Sequence, residues 1–223
     1  MSVDAIILAG GRSSRLGGVA KASLLRDGRT LLQLAIDAAR AAGGRVVVVG
    51  PEVGTTDPVR FVRERPVFSG PAAAIAAGLD ALRDDVEAEG PTQVAVLACD
   101  MPDAAPALAA VLDAATAGTD TDGWVAVDDS GREQSLLAVY RREALERRVA
   151  ALRASQPSGD LAGASVRQLL AGLVLRQVPI PDGGSADVDT WADATELGVV
   201  TAVESPAPTA STTPTADPEE RLP

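Results

Sequence analysis

The chain has 223 residues, a formal net charge of −11, and 46% hydrophobic residues against only 2% aromatic ones. That length and apolar content suit one large domain or two small ones on an aliphatic core, while the negative charge argues against nucleic acid and anionic membrane as partners. With no histidine in the chain, Ser-His-Asp catalysis, imidazole acid–base work and His-ligated metals are excluded, leaving carboxylates, Lys, Arg, backbone amides or an oxygen-bound metal.

Cys99 is the only cysteine, which rules out an internal disulfide and suits a reducing compartment. The N-terminus has no basic n-region, and its apolar run is too short for a signal peptide. No apolar stretch reaches the ~18 residues of a membrane helix. The expectation is a cytoplasmic protein.

In chain order, the apolar run Val3 to Leu8 predicts a buried strand. A glycine-rich loop fills 9–21. Asp27-Gly28 marks a turn, with Arg26 read as an ordinary turn residue, and Thr30 is the expected N-cap of a helix that ends at Gly43-Gly44. "RVVVVG" predicts a second core strand and "VRFV" a third. Pro71 opens a helix, and "QVAVLACDMP" is a buried strand ending at Asp100, after which Asp103 is expected to cap a helix to about Thr116. "GWVAVDDSGREQSLLAVY" predicts an antiparallel hairpin turning at Asp129-Ser130-Gly131. Helices over 141–154 and 163–172, a strand in "LVLRQVPIP", then a strand end and a Thr190-capped helix in "DVDTWADATELG" complete the pattern.

Helical crossovers between apolar strands predict an α/β fold: a Rossmann-like three-layer sandwich whose sheet is mostly parallel, with the antiparallel hairpin in the second half. The expected organisation is one domain over residues 1–203, its ligand-binding half about 1–120 and its second half about 121–203. Residues 204–223 are too poor in apolar side chains to bury a core, which predicts a disordered tail.

The loop "LAGGRSSRLGGVAK" is the most informative segment. It matches neither the Walker A spacing nor the G-x-G-x-x-G fingerprint. Its glycines nevertheless let backbone N–H groups face a ligand, and Arg12, Arg15 and Lys21 can surround the same space. Lys21 is the only lysine beside 19 arginines. At ~4 Å and an effective dielectric near ~20, each cation–phosphate contact contributes roughly 4 kcal/mol before desolvation, against ~0.3–1 kcal/mol for a helix dipole. A phosphate-bearing ligand is the reading; the alternative is a flexible surface loop with solvated arginines.

The same residues resemble the signature L-A-G-G-x-S-x-R-[ML]-G-x(1,2)-D-K of nucleotidyltransferases, and above all of the molybdenum cofactor guanylyltransferases. "SGPAAAIAAGL", "LACDMP", "QSLLAVY", "GASVRQLL" and "DVDTWADATELG" are similar to further segments of that family in the same order, so the resemblance spans Ile6 to about Gly198. It implies transfer of GMP from GTP to the terminal phosphate of molybdenum-bound molybdopterin, with release of pyrophosphate and dependence on Mg²⁺. The implied partners are GTP, the molybdopterin cofactor and transient contacts with cofactor-delivery or acceptor proteins; a monomer is the default. The acceptor phosphate is already ionised near neutral pH, so no general base is needed, in agreement with a chain lacking histidine.

By the family pattern, Leu8, Ala9, Gly10, Gly11 and Arg12 line the nucleotide, the Gly10-Gly11 pair implies guanine, and Arg15 and Lys21 hold the β- and γ-phosphates. Asp100 is the implied metal ligand and, with Arg15 and Lys21, a catalytic residue; its other reading is a helix N-cap. Asp187 and Asp189 are further metal ligands or a charged strand end. Glu64, Gly70 and Pro71 fall near the base, and Gln134 on the pterin side. Three positions depart from the pattern. Ala20 replaces the acid before the lysine, Arg65 stands where an Asp contacting guanosine is expected with Glu64 as its neighbour, and Ser135 replaces Pro in Q-P-L. A CTP-dependent or other small-molecule nucleotidyltransferase, or a nucleotide-binding module without turnover, is the alternative.

Overall fold

Six consecutive buried residues, Val3–Leu8, make β1 an interior strand of a seven-stranded sheet, beside its central strand. The structure is a computed structural model that describes residues 2–11, 13–56, 58–84, 90–118 and 120–202; Arg12 and the expected tail over 204–223 lie outside the described residues. A two-stranded hairpin, β2 (Leu25–Arg26) and β3 (Arg29–Thr30), precedes α1 (Leu31–Arg40), β4 (Gly43–Val49) and β5 (Arg60–Val62). Then come α2 (Pro71–Asp84), β6 (Gln93–Ala98), α3 (Ala104–Ala117), β7 (Gly123–Val127) and β8 (Glu133–Arg141). The chain continues through α4 (Arg142–Ser155), α5 (Val166–Leu170), β9 (Leu175–Pro179) and α6 (Trp191–Glu196).

The strand order is β5-β4-β1-β6-β8-β7-β9, parallel except for β8, which runs antiparallel to both neighbours. Period-2 alternation along β1 sorts its side chains between two cores. Ala5 and Ile7 face α1 and α3, meeting Leu32, Ile36, Leu108 and Val111. Ile6 and Leu8 face α2, α4 and α5, meeting Ile75, Leu79, Leu145 and Leu169. Each of these fully buried Leu and Ile side chains contributes about 1.5–3 kcal/mol relative to exposure. The result is the three-layer mixed α/β sandwich that the alternating elements predict.

α1 carries the chain from β1 to β4 on one side, whereas α2 carries it from β5 back across to β6 on the other. The order in which the chain adds strands therefore reverses between β1 and β6, and the loops after these two parallel strands part to leave a crevice at their C-terminal ends. Among the described residues, no helix is long and apolar enough to cross a membrane.

Local differences from the sequence expectation have identifiable causes. Gly43-Gly44 does not end α1, which stops at Arg40; both glycines belong to β4, where Gly44 lies against the Val3 backbone. The helix expected over 163–172 is only Val166–Leu170, because Ser165 starts it with a capping box and the chain turns away at Ala171. Residues 187–189 are not strand: Val188 donates its N–H to the Asp100 carbonyl outside any ladder. Asp103 does hold the N-cap position of α3, but its carboxylate makes no capping bond and instead accepts from Arg26 Nη1 at 2.5 Å. Arg26 is thus a tether between the β2–β3 hairpin and α3 rather than a free turn residue.

Candidate active site

The loop after β1 is held by its own backbone and by one apolar anchor. Ser13 adopts φ 44°, and its carbonyl accepts from Leu16 N and Gly18 N, both at 3.0 Å. Leu16 is buried in a small satellite core with Leu24, Leu31, Val188, Ala194 and Val199. Gly11 sits at φ 141°, a conformation that an L side chain rarely adopts. Residues 13–18 thus form a hydrogen-bonded turn anchored by Leu16.

Lys21 begins the next single turn, Lys21–Ser23, and its side chain reaches back over the strand ends. Its Nζ lies 2.8 Å from Asp100 Oδ2 and 2.5 Å from Asp189 Oδ1. Arg15 Nη1 pairs with the other Asp189 oxygen at 3.2 Å, on a largely exposed side chain. Burial by itself would lower the Lys21 pKa, but Asp100 and then Asp189 outweigh it and hold the ammonium above its ordinary 10.5. Lys21 is a fixed cation.

Residues 187–189 reach this point by an alternation of faces. Val188 is fully buried in the satellite core and hydrogen-bonded to the Asp100 carbonyl at 3.0 Å, which leaves Asp187 and Asp189 on the cleft side. Asp193 Oδ2 then accepts from Asp189 N and Thr190 N at 3.0 and 2.7 Å, while Thr190 Oγ1 caps α6. Carboxylate oxygens of Asp100, Asp187 and Asp189 come within 4.8 Å of one another. Partial burial, then the neighbouring Asp100 and Asp189 charges, raise the Asp187 pKa above 3.8. Together the three carboxylates offer an all-oxygen donor set of the kind that fits Mg²⁺. Asp100 is not a helix cap; Lys21 engages its side chain.

A cleft of about 340 Å³ opens over this cluster. Leu8, Ala9, Gly10, Gly11, Lys21, Glu64, Gly70, Pro71 and Asp100 all line it, so the structure brings together most of the sequence-predicted set. Arg15, Asp187 and Asp189 do not line this cleft; Arg15 joins the cluster through Asp189. Gln134 lies in an adjoining cleft of about 530 Å³ that shares Asp100 and Leu136 and includes Asp187, and its Nε2 donates to Asp128 Oδ2 at 2.8 Å. Arg65 lines a separate groove, whereas Glu64 is buried with its carboxylate on the cleft side. The extended segment thus presents the acid of this pair to the cleft. Cys99 is buried at the cleft wall, and burial, then the Asp100 charge, push its thiol pKa up, which disfavours the thiolate. Sequence reasoning missed Ser13, Pro51, Phe68, Ala74 and Leu136 as cleft walls. Only the scarcity of aromatics could have pointed to Phe68.

Solved structures share this architecture. A molybdopterin-guanine dinucleotide biosynthesis protein A from Archaeoglobus fulgidus is 20% identical, with a TM-score of 0.59 over 87% of this chain and 96% of its own. A nucleotidyl transferase from Methanothermobacter is 20% identical, with a TM-score of 0.63 over 88% of this chain and 95% of its own. A 2-C-methyl-D-erythritol 4-phosphate cytidylyltransferase from Thermus thermophilus is 21% identical, with a TM-score of 0.59 over 88% of this chain and 97% of its own. At these identities the likeness is one of fold. No curated protein matches the chain. The profile of the MobA-like NTP transferase domain matches residues 5–174, which include the glycine loop, Lys21 and Asp100. The chain belongs to the MobA-like NTP transferase domain family.

Proposed function

We propose that this protein is a Mg²⁺-dependent guanylyltransferase that moves GMP from GTP to the terminal phosphate of molybdenum-bound molybdopterin. The observation that carries the reading is the contact of the only lysine with Asp100 and Asp189 at the mouth of a cleft walled by Leu8–Gly11.

Leu8, Ala9, Gly10 and Gly11 present backbone to the nucleotide, and Glu64, Gly70 and Pro71 bound the base end of the cleft. Lys21 and Arg15 neutralise the β- and γ-phosphates. Asp100, Asp187 and Asp189 would hold Mg²⁺, which when bound supplies positive charge to triphosphate oxygens. Lys21 now occupies the same carboxylate oxygens, and a triphosphate would give its ammonium another anionic partner. An acceptor phosphate oxygen forms a bond to the α-phosphorus as the bond to the bridging oxygen breaks. Pyrophosphate leaves with the electron pair, stabilised by Lys21 and Arg15. No side chain has to take a proton. The chain's contribution is positioning and fixed charge. Gln134, in the adjoining cleft beyond Asp100, belongs to the acceptor's side. On this reading residues 1–203 are one domain with its nucleotide half before about residue 120 and its acceptor half after it.

The test measures pyrophosphate release with GTP, CTP, ATP and UTP, with and without Mg²⁺ and molybdopterin. Turnover that requires GTP, Mg²⁺ and molybdopterin together is expected. Turnover with CTP alone points to a cytidylyltransferase, and nucleotide binding without turnover points to a non-catalytic module; either result overturns the guanylyltransferase reading.

A further inference from the structure

Phe68 lies in the left-handed region at φ 65°, a conformation that bulky side chains avoid. The surroundings fix it there. The Phe68 N–H donates to Glu64 Oε1 at 2.9 Å, from a carboxylate that is only 7% exposed. Ser69 Oγ donates to the Pro66 carbonyl, and the Ser69 carbonyl accepts from Gly163 N at 3.0 Å. A buried carboxylate is costly unless hydrogen-bonded, and here it holds the backbone of one half-exposed aromatic residue.

The core does not need that ring. Of the five aromatic residues, Trp124 and Tyr140 are fully buried and Phe61 packs against the core. Phe68 is 49% exposed and faces the cleft. The cleft is chemically divided. Lys21 and Asp100 come from the loops after β1 and β6, at the switch point, whereas Glu64 and Phe68 follow β5, the edge strand beyond β4. Lys21 and Asp100 thus line the cleft from the switch point, while Phe68, beside the buried Glu64, lines it from the β5 edge; Pro51, Pro71 and Ala74 add apolar lining.

The geometry points to Phe68 as the surface on which the nucleobase stacks, an inference that rests on the nucleotidyltransferase reading and adds a binding residue to it. A triphosphate anchored at Lys21 extends its nucleoside toward β5, where the pinned ring meets the face of the base. Because every base has a π-face, this contact supplies affinity for any nucleoside triphosphate and leaves the choice of base to hydrogen-bonding groups.

Calorimetric titration with GTP and, as a base-free probe, with inorganic tripolyphosphate, both in Mg²⁺, tests this. Phe68→Ala should weaken GTP binding by about tenfold or more while tripolyphosphate binding stays within about twofold of wild type. Phe68→Tyr should retain GTP affinity, and Phe68→Leu should lose most of it. Unchanged GTP affinity in Phe68→Ala, or an equal loss for tripolyphosphate, overturns the stacking role, the latter because the ring would then be shaping the phosphate loop. A wild-type protein that binds none of GTP, CTP, ATP and UTP overturns the nucleotidyltransferase reading itself, and the stacking role with it.

Discussion

The ammonium of Lys21 lies 2.8 Å from the Asp100 carboxylate, across 79 residues of sequence and the gap between two adjacent parallel strands. This contact joins the loop after β1 to the end of β6 at the point where the strand order reverses. With Arg15 on Asp189, it supplies positive charge to a cluster of three carboxylates.

Lys21→Ala should therefore lower turnover by about a hundredfold or more, comparable to removing one transition-state donor. It should leave the circular dichroism spectrum intact, because Ala22 and Leu24, not Lys21, anchor the turn in the core. Pyrophosphate release under saturating nucleotide measures it. Activity close to wild type would remove Lys21 from the chemistry.

Stability is set at the opposite end of β1. Asp4 is fully buried and accepts from Arg45 N, Nε and Nη2 and from Arg142 Nη2, tying β1 to β4 and to the start of α4. Asp4→Ala leaves two guanidinium groups without their shared anion and should cost about 3–5 kcal/mol in urea unfolding. Remaining folded protein should keep its nucleotide affinity, since none of these groups lines the cleft.

Gly50, just after β4, couples packing to the site. A Cβ there would stand 2.7 Å from the Ala9 carbonyl carbon and 2.8 Å from its oxygen, and backbone cannot move aside as a flexible side chain can. Gly50→Ala should cost about 1–3 kcal/mol and, by displacing Ala9-Gly10, weaken nucleotide binding as well. Thermal unfolding and titration with GTP read the two effects separately; a loss of stability with no loss of affinity would show that the loop tolerates the shift.

A pH dependence follows from Asp128 in the β7–β8 turn. Ser130 first, then Arg132 N and Gln134, hydrogen-bond its carboxylate and lower its pKa from 3.8 to about 2. A carboxyl whose folded pKa is depressed contributes stability above its unfolded pKa and loses it as pH falls through the folded one. Asp128→Ala should melt below wild type at neutral pH, and the difference should narrow between pH 3.8 and about 2. A gap that stays constant over that window would assign the effect to the turn's shape rather than to its charge.

Much of this was legible in the residues. The apolar run Ala5 to Leu8 in β1, the Thr30 and Thr190 caps and the Asp27-Gly28 turn depend on neighbours along the chain, and local physics places them correctly. Leu8–Gly11 and Asp100 could be placed for the same reason, since they lie at the ends of β1 and β6, whereas Lys21 stood out as the only lysine of the chain. Arg26 was misjudged because its partner Asp103 is 77 residues away. The extent of α5 was misjudged because the Ser165 capping box competes with apolar pattern.

Sequence alone determined the layered fold, the cationic loop and the absence of imidazole chemistry, because periodicity and composition act locally. Long-range packing brings Asp187 and Asp189 to Asp100, and turns Glu64 rather than Arg65 to the cleft. Those outcomes depend on which face of an extended segment is buried. A one-residue change of phase reverses that face, and packing against distant elements, here Val188 in the satellite core, selects between the two.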